Sequence, residues 1–280
     1  MNFPIVSIII PLYNKESSIR STIDSVLNQK FSDFEIVVVD DGSTDNSSAI
    51  VKNINDNRIH YYYKDNEGVS VARNYGVQKA FGEWVMFLDA DDVLLDSALD
   101  KLLEPINVSD IDVCCGNFYI LRNNNKTLYS SWRHNGFVKN KYLNYYLNNF
   151  CPRTGCCIIK KNIAERFPYD AGLKRYEDLK VILDMFSIAK IYYTTAPIMV
   201  YRTSFCCLSN ACDNLSCDFS YTSNFSSYPF WGKMILGELL YKALKIYPSN
   251  RICFLKQKKG YLAFLFSAFL KRLVLYFGKK

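Results

Sequence analysis

Two acidic clusters stand where apolar runs end, and they constrain the fold of this 280-residue chain more than any other feature. Asp40-Asp41 follows Val37–Val39, and Asp89-Ala90-Asp91-Asp92 follows Phe87-Leu88. Around them the first 105 residues alternate between two periodicities. Val6–Pro11, Glu35–Val39, Ile59–Tyr63 and Trp84–Leu88 are short runs rich in branched and aromatic residues, which read as strands. Between them, Ile19, Ile23, Val26 and Leu27 fall at helical spacing. Ser43-Thr44-Asp45 can cap a second helix carrying Ile50, Val51 and Ile54, and Val69–Ala80 reads as a third. These β-to-α alternations with short connections predict an α/β fold with a Rossmann-like, doubly wound, mostly parallel sheet. Such sheets bind ligands at the carboxyl ends of their strands, which is where both acidic clusters fall.

The middle of the chain is less regular. Val113–Leu121 and Lys126–Trp132 flank Asn123-Asn124-Asn125 as a hairpin, Tyr142–Asn148 reads as a short helix, and Ile191–Tyr201 as a strand. In Glu177–Ala189, Leu179, Ile182, Leu183 and Phe186 recur at i, i+3, i+4 and i+7, so a helix begins beside two acids. Ser204–Phe230 has no period and reads as a loop or lid.

Charge is unevenly placed. The formal +7 comes from 34 basic and 27 acidic residues, yet residues 251–280 hold eight of the basic ones and no acid. A basic excess confined to one aromatic-rich tail points to an anionic surface, a membrane first, and away from a nucleic-acid groove. The ten cysteines include adjacent pairs (Cys114-Cys115, Cys156-Cys157, Cys206-Cys207), unlike a secreted disulfide framework, and are read as reduced thiols of a cytoplasmic protein. Cys206, Cys207, Cys212 and Cys217 contain no Cys-x-x-Cys, and His60 and His134 are the only histidines, which argues against zinc. Ile5–Leu12 has neither a basic lead nor a small-residue cleavage site and reads as a strand, not a signal peptide. Neither a P-loop nor a G-x-G-x-x-G motif is present.

The clusters carry candidate chemistry. Asp40 and Asp41 can accept hydrogen bonds from a base edge or ribose, with Gly42 permitting a sharp turn; the alternative is an ordinary Asp-Gly turn. The three carboxylates of Asp89–Asp92 repel one another unless a cation sits among them, and Mg²⁺ or Mn²⁺ suits few carboxylates plus substrate phosphates; the alternative is a solvated loop. Arg73, in the first turns of the third helix, can reach a phosphate or one of these carboxylates, or stand on the surface.

Four ordered stretches resemble glycosyltransferase family 2, of the inverting, nucleotide-sugar-dependent GT-A fold: Val6–Asn14, Val38–Asp45, Gly68–Asn74 and Phe87–Asp92. The resemblance implies a nucleotide-sugar-binding half over residues 1–105, an acceptor-binding half with base and lid over 106–230, and a helical membrane-associating region over 231–280. It implies that Pro11, Tyr13 and Asn14, with Glu16, frame the nucleotide, that Asp41 bonds the uracil edge, and that Asp40 shapes that pocket. Asp91 is the expected metal ligand for Mn²⁺ or Mg²⁺, with Asp89 near the ribose and diphosphate, and Arg73 on the nucleotide or its phosphates. Tyr176-Glu177-Asp178 resembles the family's Glu-Asp motif. Asp178 is then the base that deprotonates the acceptor hydroxyl and Glu177 its orienting neighbour; the alternative is favourable charge at a helix start. Arg202 resembles an arginine that approaches the diphosphate from a loop, or else ends a strand. The implied activity is transfer from a nucleotide-sugar, UDP-linked, to a glycan or lipid-linked oligosaccharide acceptor in cell-surface polysaccharide synthesis. A nucleotidyltransferase would need a basic Gly-rich loop where Pro11-Leu12-Tyr13-Asn14-Lys15 stands, and a non-catalytic scaffold would be expected to lose the carboxylates.

In the tail, Ile252–Phe277, the longest uncharged stretch is eleven residues, Gly260–Leu270, too short to span a bilayer core of ~20 residues. A helical wheel puts Leu262, Leu265, Phe266, Phe269, Leu273 and Phe277 on one face and Ser267 and Lys271 opposite. That pattern predicts peripheral contact with the inner face of the cell membrane, or a helix packed on the protein itself.

Overall fold

A computed structural model describes residues 3–108, 110–203, 217–246 and 261–268. The first half runs β1 (Val6–Leu12), α1 (Ile19–Leu27), β2 (Phe34–Asp41), α2 (Ser47–Lys52), β3 (Ile59–Lys64), α3 (Val69–Lys79) and β4 (Trp84–Phe87). It continues through β5 (Val93–Leu94), α4 (Ala98–Leu103), β6 (Val113–Arg122), β7 (Asn125–Leu128), β8 (Gly136–Phe137) and α5 (Lys141–Tyr146). The last elements are β9 (Cys157–Lys160), α6 (Lys161–Arg166), α7 (Glu177–Met185), β10 (Ile191–Arg202), α8 (Phe219–Thr222) and α9 (Phe230–Ile246).

Among the described residues these strands form one sheet in the order β3-β2-β1-β4-β9-β6-β10-β5, with β7 on β6 and β8 on β10. The β3-β2-β1-β4 half is wholly parallel, as the alternating pattern predicts, and β6 is parallel to β10. Between them lies β9, antiparallel to both β4 and β6, which the sequence reading did not anticipate. Its apolar run is only Cys156–Ile159, too short for any period to show.

Every residue of β2 is buried because both faces of the sheet are covered. Ile8, Ile10, Ile36, Val38 and Met86 point to the side holding Ile23 of α1 and Leu99 of α4, while Ile9, Val37, Val39 and Phe87 point to the side holding Ala72 of α3 and Leu183 of α7. Gly76 lets α3 approach this second face. A β-carbon there would lie 2.3 Å from Cγ2 of the buried Ile9. Gly76→Ala is therefore expected to destabilise the protein by ~1–3 kcal/mol, overpacking outweighing the better helix propensity; an unchanged denaturant midpoint would contradict this.

Several boundaries differ from the sequence reading for local reasons. The helix expected to include Ile54 ends at Lys52, and of the capping stretch Ser43-Thr44-Asp45 it is Asp45 that accepts the backbone N–H of Ser47 (2.9 Å). The hairpin turns on Asn123 and Asn124, both left-handed (φ 47° and 65°), but its second strand stops at Leu128. There the side chain of Asn117 bonds both backbone groups of Ser130 and draws the chain away. Part of Ser204–Phe230 is ordered structure: Asp218 caps α8 by accepting from Ser220 N–H, and Asn224 caps a 3-10 turn at Phe225–Ser227. Residues 204–216 of that segment, with Cys206, Cys207 and Cys212, lie outside the described residues. The six described cysteines are free thiols.

In the tail, residues 262–268 are helical and pack on the protein. Leu265 and Ala268 are buried, Tyr261 stacks on Phe225 (3.9 Å between ring centres), and Ser267 hydroxyl bonds the sulfur of Met234 in α9. Leu265 and Ser267, on opposite sides of the wheel, thus both meet the protein here. The absence of a side chain at Gly237 brings the backbone of Phe264 so close that the packed face is set by shape as well as by polarity. Leu262 and Phe266 face outward, exposed at 46% and 61%. Phe269, Leu273 and Phe277 lie outside the described residues. Among the described residues no helix is long and apolar enough to cross a membrane.

Candidate active site

The carboxyl ends of β1, β2 and β4 meet the start of α7 at one edge of the sheet. The β1 loop begins at half-buried Pro11 and exposed Tyr13 and turns at Asn14, which is left-handed (φ 49°). Asn14 Oδ1 accepts from Thr44 N–H (2.8 Å) and Glu16 accepts from Asn46 N–H (3.0 Å), so both side chains bind this loop to the one after β2.

Asp40 and Asp41 are buried at the end of β2. Asp40 accepts from Ser43 N–H (2.8 Å) and from Tyr61 hydroxyl (2.6 Å); burial first, then this carboxylate, pushes the Tyr61 phenol up to about 12. Asp41 accepts from Lys64 Nζ (2.7 Å) and from the backbone N–H groups of Glu67 (3.0 Å) and Gly68 (2.8 Å). It thereby holds the loop that starts α3 in place.

Arg73 joins the two halves of the sequence. Its guanidinium, buried in the second turn of α3, pairs with Asp89 (2.9 Å) after β4 and with Glu177 (3.3 Å) at the start of α7, and lies over the Tyr169 ring (4.9 Å). Burial alone would lower its affinity for the proton, but Asp89, Tyr169 and Glu177 outweigh that and raise it. Asp89 also accepts from Thr154 hydroxyl (3.0 Å), and Arg73 above all holds it below the usual carboxylate range against the effect of burial. Burial, then the adjacent Asp178 carboxylate, pushes Glu177 up. Asp178 begins α7 beside it, half-buried, where left-handed Tyr176 (φ 59°) turns the chain into the helix.

Asp91 pairs with Lys15 (2.7 Å). Asp92 is fully buried, its Oδ2 has no hydrogen-bond partner among the described residues, and burial and Asp89 push its carboxyl well up. Arg202 lies behind this loop: its guanidinium bonds the Asp91 carbonyl (2.6 Å) and Ser21 hydroxyl, and its backbone N–H donates to Asp92 (3.2 Å). Sequence reasoning missed Lys15, Arg153 and Thr154. Arg153 stacks on Tyr201 (3.8 Å) and its charge acts on Asp89 and Asp92. The bracketing of Arg153-Thr154 by Pro152 and Gly155 was the one available signal.

The donor chemistry fits a hard divalent cation. Asp91 already holds a cationic group in Lys15, and one or two carboxylates suffice where substrate phosphates supply the remaining oxygens. Among the described residues no cluster of three or more ligating side chains is formed, so any such ion would be held by Asp91 and Asp89 together with substrate.

A doubly wound, mostly parallel α/β sheet with acids at two strand ends and an acid pair across an arginine defines a GT-A-like protein. The profile of the Glycosyl transferase family 2 matches residues 7–167, more than half of the chain, and the chain belongs to that family. Over 121 residues it is 39% identical to an uncharacterized glycosyltransferase of Haemophilus influenzae, covering 42% of this chain and 48% of that one. Over 108 residues it is 40% identical to the GalNAc(5)-diNAcBac-PP-undecaprenol beta-1,3-glucosyltransferase of Campylobacter jejuni, covering 37% of this chain and 35% of that one. The chain spans less than half the length of these curated relatives. The crystal structure of S. aureus TarS 1-349 in complex with UDP-GlcNAc superimposes with a TM-score of 0.65 at 21% identity, covering 87% of this chain and 72% of that one, a likeness of fold.

Proposed function

We propose that the protein is an inverting glycosyltransferase that moves a sugar from a UDP-linked donor to a hydroxyl of a glycan or lipid-linked oligosaccharide, in cell-surface polysaccharide synthesis. The observation that carries this reading is Arg73, which pairs with the acid after β4 and with Glu177 of the α7 acid pair, 104 residues further along the sequence from itself. Residues 1–105 form the donor-binding half, where Pro11, Tyr13, Asn14 and Glu16 frame the nucleotide beside Asp40 and Asp41. Residues 106–230 form the acceptor half. The UDP-GlcNAc held by the TarS neighbour supports the donor class, and the undecaprenol diphosphate in the Campylobacter relative's name supports a lipid-linked acceptor.

A sugar hydroxyl is a weak nucleophile. Asp178 takes its proton as the oxygen attacks the anomeric carbon, the bond from that carbon to the diphosphate oxygen breaks, and the configuration inverts. Glu177, held by Arg73, orients Asp178, while Arg73 and Arg202 supply positive charge at the strand ends. A Mn²⁺ or Mg²⁺ ion on Asp91 and Asp89 would neutralise charge on the departing nucleoside diphosphate. The outward pair Leu262 and Phe266, in a tail rich in Lys and Arg, supports peripheral attachment to the inner face of the cell membrane in the cytoplasm. Deleting residues 251–280 is the matching check, since retained binding to anionic vesicles would refute it.

The test is thermal stability against UDP, GDP, CMP, dTDP and ATP, each with and without Mn²⁺. UDP at a hundredfold excess over its dissociation constant should add ~2.7 kcal/mol, and more readily with Mn²⁺. A shift with another nucleotide alone moves the donor class, and no shift with any favours a non-catalytic scaffold.

A further inference from the structure

A polar cavity of about 330 Å³ lies beside α7, lined by Asp170, Lys180, Asp184, Thr222, Asn224 and Tyr228 among others. We propose that this cavity binds an uncharged, hydroxyl-rich segment of the acceptor glycan, away from the reacting hydroxyl. The inference rests on the glycosyl-transfer reading of the site at the start of the same helix.

Two connections place the cavity next to that site. Glu177, Lys180 and Asp184 stand at i, i+3 and i+7 and so share one face of α7. Glu177 meets Arg73, and at 1.5 Å rise per residue Lys180 and Asp184 lie roughly 5 and 10 Å further along the axis. Tyr169, whose ring lies under the Arg73 guanidinium, is the neighbour of cavity-lining Asp170. Asp178 stands about 100° round the helix from Glu177, so an oligosaccharide whose terminal hydroxyl sits there would cross the start of α7 before running along this face into the cavity.

The cavity walls are fixed. The segment leading into α8 is bridged to the residues before α7 by Arg175 N–H to the Cys217 carbonyl (3.3 Å) and Phe219 N–H to the Arg175 carbonyl (3.2 Å). Asp184 is held between Tyr228 hydroxyl (2.6 Å) and Lys180 Nζ (2.9 Å). Asn224 spends its amide oxygen on Ser226, and its amide nitrogen makes no hydrogen bond among the described residues. Sugar hydroxyls both donate and accept, and the lining offers both: carboxylate oxygens at Asp170 and Asp184, and N–H groups at Lys180 and Asn224. The aromatic rings of Phe219 and Tyr228 add the apolar surface that binding pockets combine with a few placed polar groups. Two carboxylates against one ammonium disfavour a phosphate or a lipid headgroup anion, which separates this cavity from the diphosphate site.

The experiment is calorimetry of the full chain against a panel of uncharged di- to tetrasaccharides of glucose, galactose and N-acetylglucosamine, with their sulfated counterparts as the anionic arm. The expected result is that the wild type binds an uncharged member, its sulfated counterpart no better, and that Lys180→Met and Asn224→Ala each weaken binding about tenfold. Exposed Ser187→Ala, two residues past the end of α7, is the control and should bind as the wild type does. Binding of no uncharged member, wild-type affinity in both cavity variants, or preference for the sulfated arm overturns the proposal. A wild type that binds the oligosaccharide but no UDP would refute the glycosyl-transfer reading and with it the identity of the ligand as acceptor.

Discussion

Asp178→Asn is expected to lower the rate of sugar transfer by ~10²–10⁴-fold while UDP binding persists, since a positioned general base contributes about that much. The substitution keeps the shape of the side chain and removes its ability to take a proton. Among the described residues Asp178 makes one hydrogen bond, its Oδ1 accepting from the backbone N–H of Leu179 (2.7 Å), which the asparagine Oδ1 can reproduce. The helix start therefore survives. Glu177 is not a ready substitute, because its carboxylate is paired with Arg73. Single-turnover transfer measured beside a UDP thermal shift separates the outcomes. A rate within twofold of wild type would move the base elsewhere, and loss of both transfer and UDP binding would give Asp178 a structural role.

The parts of the molecule that were legible in the sequence are those specified by neighbours in sequence. β1, β2 and β4 are almost wholly buried because both sheet faces are covered there, and that burial writes itself as continuous apolar stretches, those of β2 and β4 ended by acids, whereas the edge strand β3 is only partly buried. The acid pair of α7 was visible for the same reason, next to a helical period. What was not legible depends on distant partners. Nothing near Lys15 shows that it meets Asp91, and nothing near Thr154 shows that it meets Asp89. Nothing near Arg202 shows that its guanidinium meets the Asp91 carbonyl and Ser21, contacts set by the strand register of β10. Which of the two readings of the tail holds at Leu265 was not legible either, because a wheel sorts residues by polarity, whereas the close approach at Gly237 selects a face by shape.

The largest stability effect is expected at Arg73. Arg73→Met keeps much of the volume in the core under α3 and removes the only charge shared by Asp89 and Glu177, whose side chains are 28% and 15% exposed. Removing one partner of a buried ion pair leaves an uncompensated charge and costs ~3–5 kcal/mol, here roughly a 10 °C fall in Tm. The pH dependence identifies the cause. Arg73 holds Asp89 below its ordinary value of 3.8, so the stabilisation from this pair is present above that pH and is lost as pH falls through the depressed folded value. The gap between wild type and variant should therefore be widest near neutrality and close in acid, where the carboxylate is neutral in both. Adding Glu177→Gln to the variant should recover part of the loss by removing a second stranded charge. A gap that is constant from pH 7 to pH 3, or no recovery in the double variant, would mean that Arg73 acts through packing on the Tyr169 ring and not through its charge.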